Sequence, residues 1–309
     1  MMKTRLKNTL IIFLIAVIAI STVNVVSAAE KTIGPNTPGG LKKAIDTAKN
    51  GDTIILTNGV YKGKNNRDIA IKKYIKIIGK GNNVVLDGEG KYRFLKIAKN
   101  KKVTLQKLKF TKGSSKGDGG AIESEGTLTV SSCTFTDNQG RSGGSIRLIE
   151  GQSTVTKSIF TNNKAKISGG AISVFKGYGK ITTKLTMNSC TFTNNTVHYA
   201  EGDYLEGRST GFGGAIQSNG EITVSKSTFT NNKVGSTGGA IRSDGKATVN
   251  GCTFKNNLAS TGGAIYNFKY TMKITDSNFK DNKNPNRGDI FGIFSYKKET
   301  LITKNIKLI

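Results

Sequence analysis

The chain has 309 residues, with 47 Lys or Arg against 20 Asp or Glu, 38 Gly, 3 Pro, 3 Cys, one His and no Trp. A formal charge of +27 repels cationic partners and attracts anionic ones, and so much glycine argues against helical bundles and for a turn-rich architecture.

In chain order, residues 1–29 read as an export signal. Lys3, Arg5 and Lys7 form a positive start, residues 10–20 are unbroken apolar chain, and Val26-Ser27-Ala28 is a cleavage site with Ala29 as the alternative. The competing reading is an uncleaved anchor, because residues 10–26 nearly suffice to cross a bilayer if Ser21, Thr22 and Asn24 are tolerated. Cleavage removes three cations, leaves about +24, and places the protein outside the cell or on its surface. No later stretch approaches the ~20 apolar residues of a spanning helix, so no transmembrane anchor is expected after cleavage.

Residues 30–309 are expected to form one domain. The segment NTPGGLKKAIDTAKNGDTIIL (36–56) puts Leu41, Ala44, Ile45 and Ala48 on one helical face, with Thr37 as N-cap and Gly51 as the stop. A helix over 37–50 would cover the first turn of a solenoid, whose open end otherwise exposes strand edges and apolar interior. Coils are expected over 52–298, with TIIL, IKII and VVLDG as the first strand-sized runs, and 299–309 as a terminal strand pair.

The fold is carried by a repeat. GGAI or GGSI recurs at 119, 143, 169, 213, 238 and 262, and each copy precedes a Phe with an Asn three residues on: Phe135/Asn138, Phe160/Asn163, Phe192/Asn195, Phe229/Asn232, Phe254/Asn257 and Phe279/Asn282. Phe110 begins the series without its Asn, and the Phe-to-Phe steps are 25, 25, 32, 37, 25 and 25. A period near 25 signals a solenoid whose units bury their apolar faces only against neighbours. In TLTVSSCTFTDN (127–138), Leu128, Val130, Cys133 and Phe135 alternate with polar residues, as in half-buried strands. The pattern predicts an all-β parallel β-helix of three short strands per coil. The paired glycines would turn a corner at φ > 0, the Phe residues would stack, and the Asn residues would satisfy turn amides.

Cys133, Cys190 and Cys252 each sit two residues before a repeat Phe, and Ser158, Ser227 and Ser277 hold the same place on the other coils. Cysteines on alternate coils are ~9.6 Å apart at a ~4.8 Å rise, beyond the ~7 Å a disulfide tolerates. Three free, buried thiols are therefore expected, and no cofactor.

GGAI with FxxN resembles the repeat of chlamydial polymorphic outer-membrane proteins, and LKKAIDTAKNGDTIILTNGVYKG followed by FTNN coils resembles adhesin-like surface proteins of methanogenic archaea. The resemblance spans roughly 37–290. It implies a right-handed parallel β-helix on an archaeal cell surface, used for attachment or wall association, with no catalytic residues. The chain departs from it in having no autotransporter barrel and none of the extra modules or anchors of the large archaeal adhesins.

Departures from the period are the first places to look for function. Two coils carry extra residues, at 174–184 and 196–212. The second holds His198, Tyr199, Glu201, Asp203, Tyr204, Glu206 and Arg208, a candidate binding loop whose tyrosines suit sugar rings; its plain alternative is a solvated insertion. Glu201, Asp203 and Glu206 lack an EF-hand-like spacing, so no metal is expected there.

From Lys62 to Lys112, sixteen Lys or Arg face three acids. Lys72, Lys73, Lys76, Lys96, Lys99, Lys101 and Lys102 form the candidate polyanion patch, suited to acidic glycans or wall polymers in salt-dependent contact. Its plain alternative is solubility. Export makes nucleic acid an unsuitable partner.

The alternative function is a polysaccharide lyase or glycoside hydrolase, in which Glu123 and Glu125 would supply carboxylates from one strand face. Later coils hold Ser173 and Phe175, Gln217 and Asn219, or Arg242 and Asp244 at those places, so no catalytic residues are assigned. Thr-x-Thr around several of the Phe residues resembles the hydroxyl arrays of ice-binding β-helices, broken here by Ile159, Lys255, Asn278 and Lys280. Arg287-Gly288-Asp289 in isolation resembles a cell-attachment tripeptide, but Gly288-Asp289-Ile290 falls 25 residues after Gly263-Ala264-Ile265 and reads as a worn copy of the repeat; Asn194, in Asn194-Asn195-Thr196, is the glycosylation candidate.

Overall fold

A 25-residue unit cannot bury its own apolar side chains, so each coil must find its core in the coils above and below. The computed structural model describes residues 28–177, 182–198, 211–284 and 292–309, and there the chain winds as a right-handed parallel β-helix of about ten coils. Among the described residues, nineteen strands form sheet A, nine form sheet B and four form sheet C, with every pairing parallel.

A typical coil runs from Ile122–Ser124 in sheet B to Thr127–Ser131 and Thr134–Thr136 in sheet A, then Gln139–Ser142 in sheet C. Three strands per coil become four because the sheet A strand is broken by one left-handed residue. That residue is Ser132 (φ 52°), and Lys107, Lys157, Ser189, Lys226, Gly251 and Asp276 repeat it with φ between 47° and 62°. The break moves the inward positions from Leu128 and Val130 to Cys133 and Phe135, which is why the alternation slips by one residue there. Non-glycine residues at such a φ cost of order 1–3 kcal/mol unless their surroundings over-determine them; here the Ser132 amide donates to the Thr156 carbonyl one coil up.

The paired glycines serve two purposes. The first, at 119, 143, 169, 213, 238 and 262, has φ of 62–72°, as expected. The second carries no such φ; a Cβ on Gly144 would collide with the Gly170 carbonyl oxygen, and one on Gly170 with that of Gly214. One glycine turns the chain and the other lets successive coils touch.

Inside, Phe110, Phe135, Phe160, Phe192, Phe229, Phe254 and Phe279 stack with ring centroids 4.8–4.9 Å apart and planes within 9°. The spacing is that of hydrogen-bonded strands, so the rings inherit it from the backbone. Beside them runs a ladder of buried carboxamides. Asn163 Nδ2 donates to the Phe135 carbonyl one coil below (3.0 Å) and to Asn195 Oδ1 one coil above (2.9 Å), while Asn195 Oδ1 also accepts the Asn163 amide (3.1 Å). Asn138, Asn195, Asn232 and Asn257 repeat the pattern.

The N-terminal end departs from expectation in three ways. Strand pairing begins before the helix, with Glu30–Ile33 alongside Thr53–Leu56; this run is short and largely exposed, so it carries little hydrophobic signal. Helix α1 spans Gly40–Thr47 rather than 37–50, and buries Leu41, Ala44 and Ile45 over the first coil. Thr37 is not its cap: Thr37 Oγ1 accepts the Gly34 amide, whereas Asn66 Oδ1, from the next coil, accepts the Leu41 amide at 2.9 Å. At the other end, Leu301–Lys304 and Lys307–Leu308 pair with Met272–Thr275 and Asn278–Phe279 rather than with each other.

The thiols of Cys133, Cys190 and Cys252 are free and buried. Their backbone amides donate to Ser158, Ser227 and Ser277 Oγ on the next coil, each at 3.1 Å, so the Cys/Ser alternation leaves every second coil a hydroxyl acceptor. Burial pushes the Cys133 thiol up to about 12 and that of Cys252 to about 11, and raises Cys190 as well. No helix among the described residues is long and apolar enough to cross a membrane.

Two outcomes are expected. Phe192→Ala, which opens the middle of the ring stack, should cost about 3–5 kcal/mol, read as a lowered urea midpoint. At pH 8 a thiol-specific chromogenic reagent should label none of the three cysteines in the native protein and all three after denaturation.

Candidate functional site

With glycine, phenylalanine and asparagine consumed by the interior, chemistry is left to the outward positions. In sheet B the middle residue of each three-residue strand faces out, and the register stacks Lys96, Glu123, Arg147, Ser173, Gln217, Arg242, Tyr266 and Phe294 in one column. Glu123 bridges Arg93 (2.6 Å) and Lys96 (3.0 Å), and Glu125 also reaches Lys96 (3.6 Å). Arg147 Nη1 donates to Ser173 Oγ (2.6 Å), which donates to Gln217 Oε1 (3.0 Å). Asp118 lies 3.4 Å from Arg147 Nε and 3.9 Å from Arg141. Farther along, Arg242 pairs with Asp244 (2.9 Å) and lies over the Phe212, Tyr266 and Phe268 rings. The repeat alone aligned Glu123 with Ser173, Gln217 and Arg242; the register adds Lys96, Arg147, Tyr266 and Phe294 to the column.

The seven lysines of the candidate polyanion patch divide. Lys73 Nζ donates to the carbonyls of Ile45, Asp46 and Ala48, capping the C-terminal end of α1, so it is a structural residue and not a free charge. Lys96 and Lys99 pair with carboxylates, Lys99 with Glu150 at 3.1 Å, and Lys101 stands 5.3 Å over the Tyr74 ring. Lys72, Lys76 and Lys102 are exposed, with no carboxylate at ion-pair distance among the described residues.

Nearby, the first coils form a cleft of about 460 Å³ lined by Gly81, Asn82, Lys107, Leu108, Lys109, Ser132 and Thr134. Lys107 stands at a left-handed corner, and Lys109 Nζ donates to Asn83 Oδ1 at 3.3 Å. Both lysines belong to the basic stretch 62–112 yet lie outside the seven selected, since only the fold shows that the 79–83 segment walls them in. A second cleft of about 460 Å³ lies against Lys176, Asn219, Glu221, Asp244, Lys246 and Tyr270.

Of the candidate loop, His198 is exposed, while Tyr199, Glu201, Asp203, Tyr204, Glu206 and Arg208 lie outside the described residues, as does the 287–289 tripeptide. Asn194 is exposed at φ 54°, and Asn195 beside it is buried in the ladder.

Residues 184–307 match the family model for the right handed beta helix region, and residues 157–174 match the Chlamydia polymorphic membrane protein repeat. No curated protein matches the chain. Among solved structures it is similar to the PL6 family alginate lyase AlyGC (15% identity, TM-score 0.39), with 86% of this chain covered. It is also similar to a mannuronic acid specific polysaccharide family 6 lyase from human gut microbiota (11% identity, TM-score 0.38), over 91% of this chain and 83% of the other. The chain spans 40% of the length of AlyGC.

The Glu123 carboxylate, first by its hydrogen bond and then by its charge, holds the Lys96 ammonium above the ordinary lysine value. A raised lysine stabilises the fold fully below its unfolded value, and that contribution is lost as pH climbs through the folded one. Glu123→Gln should therefore lower the Lys96 titration midpoint, followed by NMR of the lysine side chain, and remove that part of the alkaline stability loss.

Proposed function

We propose that this β-helix works outside the cell or at its surface as an adhesin-like, non-catalytic binder of acidic glycans or wall polymers. The observation that carries this reading is the set of uncommitted cations on the first coils: Lys72, Lys76 and Lys102 without carboxylate partners, and Lys107 and Lys109 in a cleft with Ser132 and Thr134. A polymer carrying one carboxylate or sulfate per sugar meets several such lysines at once. Individually weak, exposed contacts then add through multivalency.

The export-type residues 1–29 and the resemblance of the repeat to surface proteins support the location. The carbohydrate-active alternative would rely on Glu123 and Glu125. Glu123 is held between Arg93 at 2.6 Å and Lys96 at 3.0 Å, so both of its carboxylate oxygens are engaged within the protein.

The test is retention of the chain without residues 1–29 on polygalacturonate, alginate and neutral dextran, at 20 mM and 500 mM salt, with assays for new reducing ends and unsaturated products. Retention on the two acidic polymers that falls by about tenfold or more at high salt, without new chain ends, is the expected result. Release of oligosaccharides would overturn the non-catalytic reading.

A further inference from the structure

The outer face of sheet A is unlike the rest of this highly charged protein. One column, in register along the solenoid, reads Thr104, Thr129, Thr154, Thr186, Thr223 and Thr248. A second reads Thr111, Thr136, Thr161, Thr193 and Thr230, and a third holds Thr134, Thr191, Thr228 and Thr253, interrupted by Ile159. With the column from Ser131 to Asn250, these four columns hold twenty outward positions over five coils, and fourteen of the twenty are threonine. None is a carboxylate, one is a lysine, and none is buried. None of the fourteen hydroxyls hydrogen-bonds another side chain or a carbonyl among the described residues. Strand propensity explains threonine at any one place, but not four columns this poor in charge when the positions that flank and split them hold Lys184, Glu221, Lys157 and Lys226.

Lysines stand at several ends of the columns, with Asp87 before Thr111 and Asn278 after Thr253 at two others. Lys76 precedes the first column and Lys273 follows it; Lys109 precedes the interrupted one; Lys255 and Lys280 follow the one that begins at Thr111. Lys76 and Lys273 are seven coil steps apart, roughly 34 Å at the spacing of parallel strands. The cleft with Lys107 and Lys109 opens at the Lys76 end, and Ser132 and Thr134 carry it onto the plate.

We infer that this face is a track for an extended acidic polysaccharide, which lies along the solenoid axis. Its anionic groups are held by the lysines at the two ends, and its hydroxyls hydrogen-bond the threonine rows, one row per 4.8 Å coil. Charge complementarity selects the occupant: the lysines at the ends, with exposed Lys157 and Lys226 at the break between the strands, require anionic groups, and the threonine columns set no electrostatic condition on the hydroxyls between them. An ordered water lattice such as ice would fit the threonines but leaves the lysine ends without a role. The track rests on the polymer-binding reading and places the contact on sheet A, away from the exposed lysines of the loops that leave it, Lys64 and Lys91 among them.

The test compares three double variants of the chain without residues 1–29 for retention on polygalacturonate: Lys107→Gln with Lys109→Gln, Thr191→Val with Thr228→Val, and Lys64→Gln with Lys91→Gln, two exposed lysines outside sheet A. All six positions face out, and valine keeps the shape and strand preference of threonine; circular dichroism confirms folding. The account expects about tenfold weaker retention for the first pair, a loss of about threefold for the second, and little change for the third. Loss confined to the third pair would move the site off sheet A and overturn the track, and so would full retention by the threonine variant. Absence of wild-type retention would instead overturn the polymer reading itself. Adsorption to ice, abolished by the threonine variant alone, would reassign the face to ordered water.

Discussion

The buried asparagine ladder is the constraint on which the rest of the molecule depends. Where the chain leaves sheet A, the turn amides at Asn138, Asn163, Asn195, Asn232 and Asn257 point along the axis inside the protein, where an unmade hydrogen bond costs about 1–3 kcal/mol. Each amide is satisfied by the carboxamide of the next Asn, which is anchored in turn by the phenylalanine carbonyl of the coil below. The satisfaction is mutual, so a coil cannot shift by one residue without stranding both its own amide and its neighbour's. Inserted residues are therefore tolerated only where they leave this register intact. The ladder bonds are the same across the 32-residue and 37-residue steps as across the 25-residue ones, because the extra residues fall at 174–184 and 196–212 and not between Phe and Asn.

That strictness inside frees the outside. Only outward positions can vary, and they do so by column: threonine on sheet A, mixed ion pairs and aromatics on sheet B, lysine at coil corners. A recognition surface built this way is a ruled plate with a fixed 4.8 Å pitch, better matched to a long repetitive polymer than to a compact ligand. The positive charge then acts where lysines have no carboxylate to answer.

How much was legible in the sequence follows the same division. The Phe stack, the Asn ladder, the free thiols and the parallel β-helix were readable because stacking forces one residue type to recur at one spacing. The left-handed break in sheet A was visible only as a slip in alternation, since Ser132, Lys107 and Lys157 share a backbone angle and no side-chain chemistry. The strand at Glu30–Ile33 was missed because three of its four residues are exposed. Lys73 looked like its neighbours, yet it is spent on the carbonyls of α1, a contact made across a whole coil. The Lys107–Lys109 cleft needed the register itself, which no local pattern carries, and so did the ion pairs of the sheet B column, although the repeat had aligned Glu123, Ser173, Gln217 and Arg242.

The central claim is that the interior stack leaves sheet A as a lattice for acidic polymer. Methyl-labelled threonine NMR, with a polygalacturonate oligomer added in steps at low salt, tests it most directly. The account predicts chemical-shift changes at Thr104, Thr129, Thr154, Thr191 and Thr228, with Thr47 and Thr300 unmoved. Shifts confined to threonines outside sheet A would contradict it.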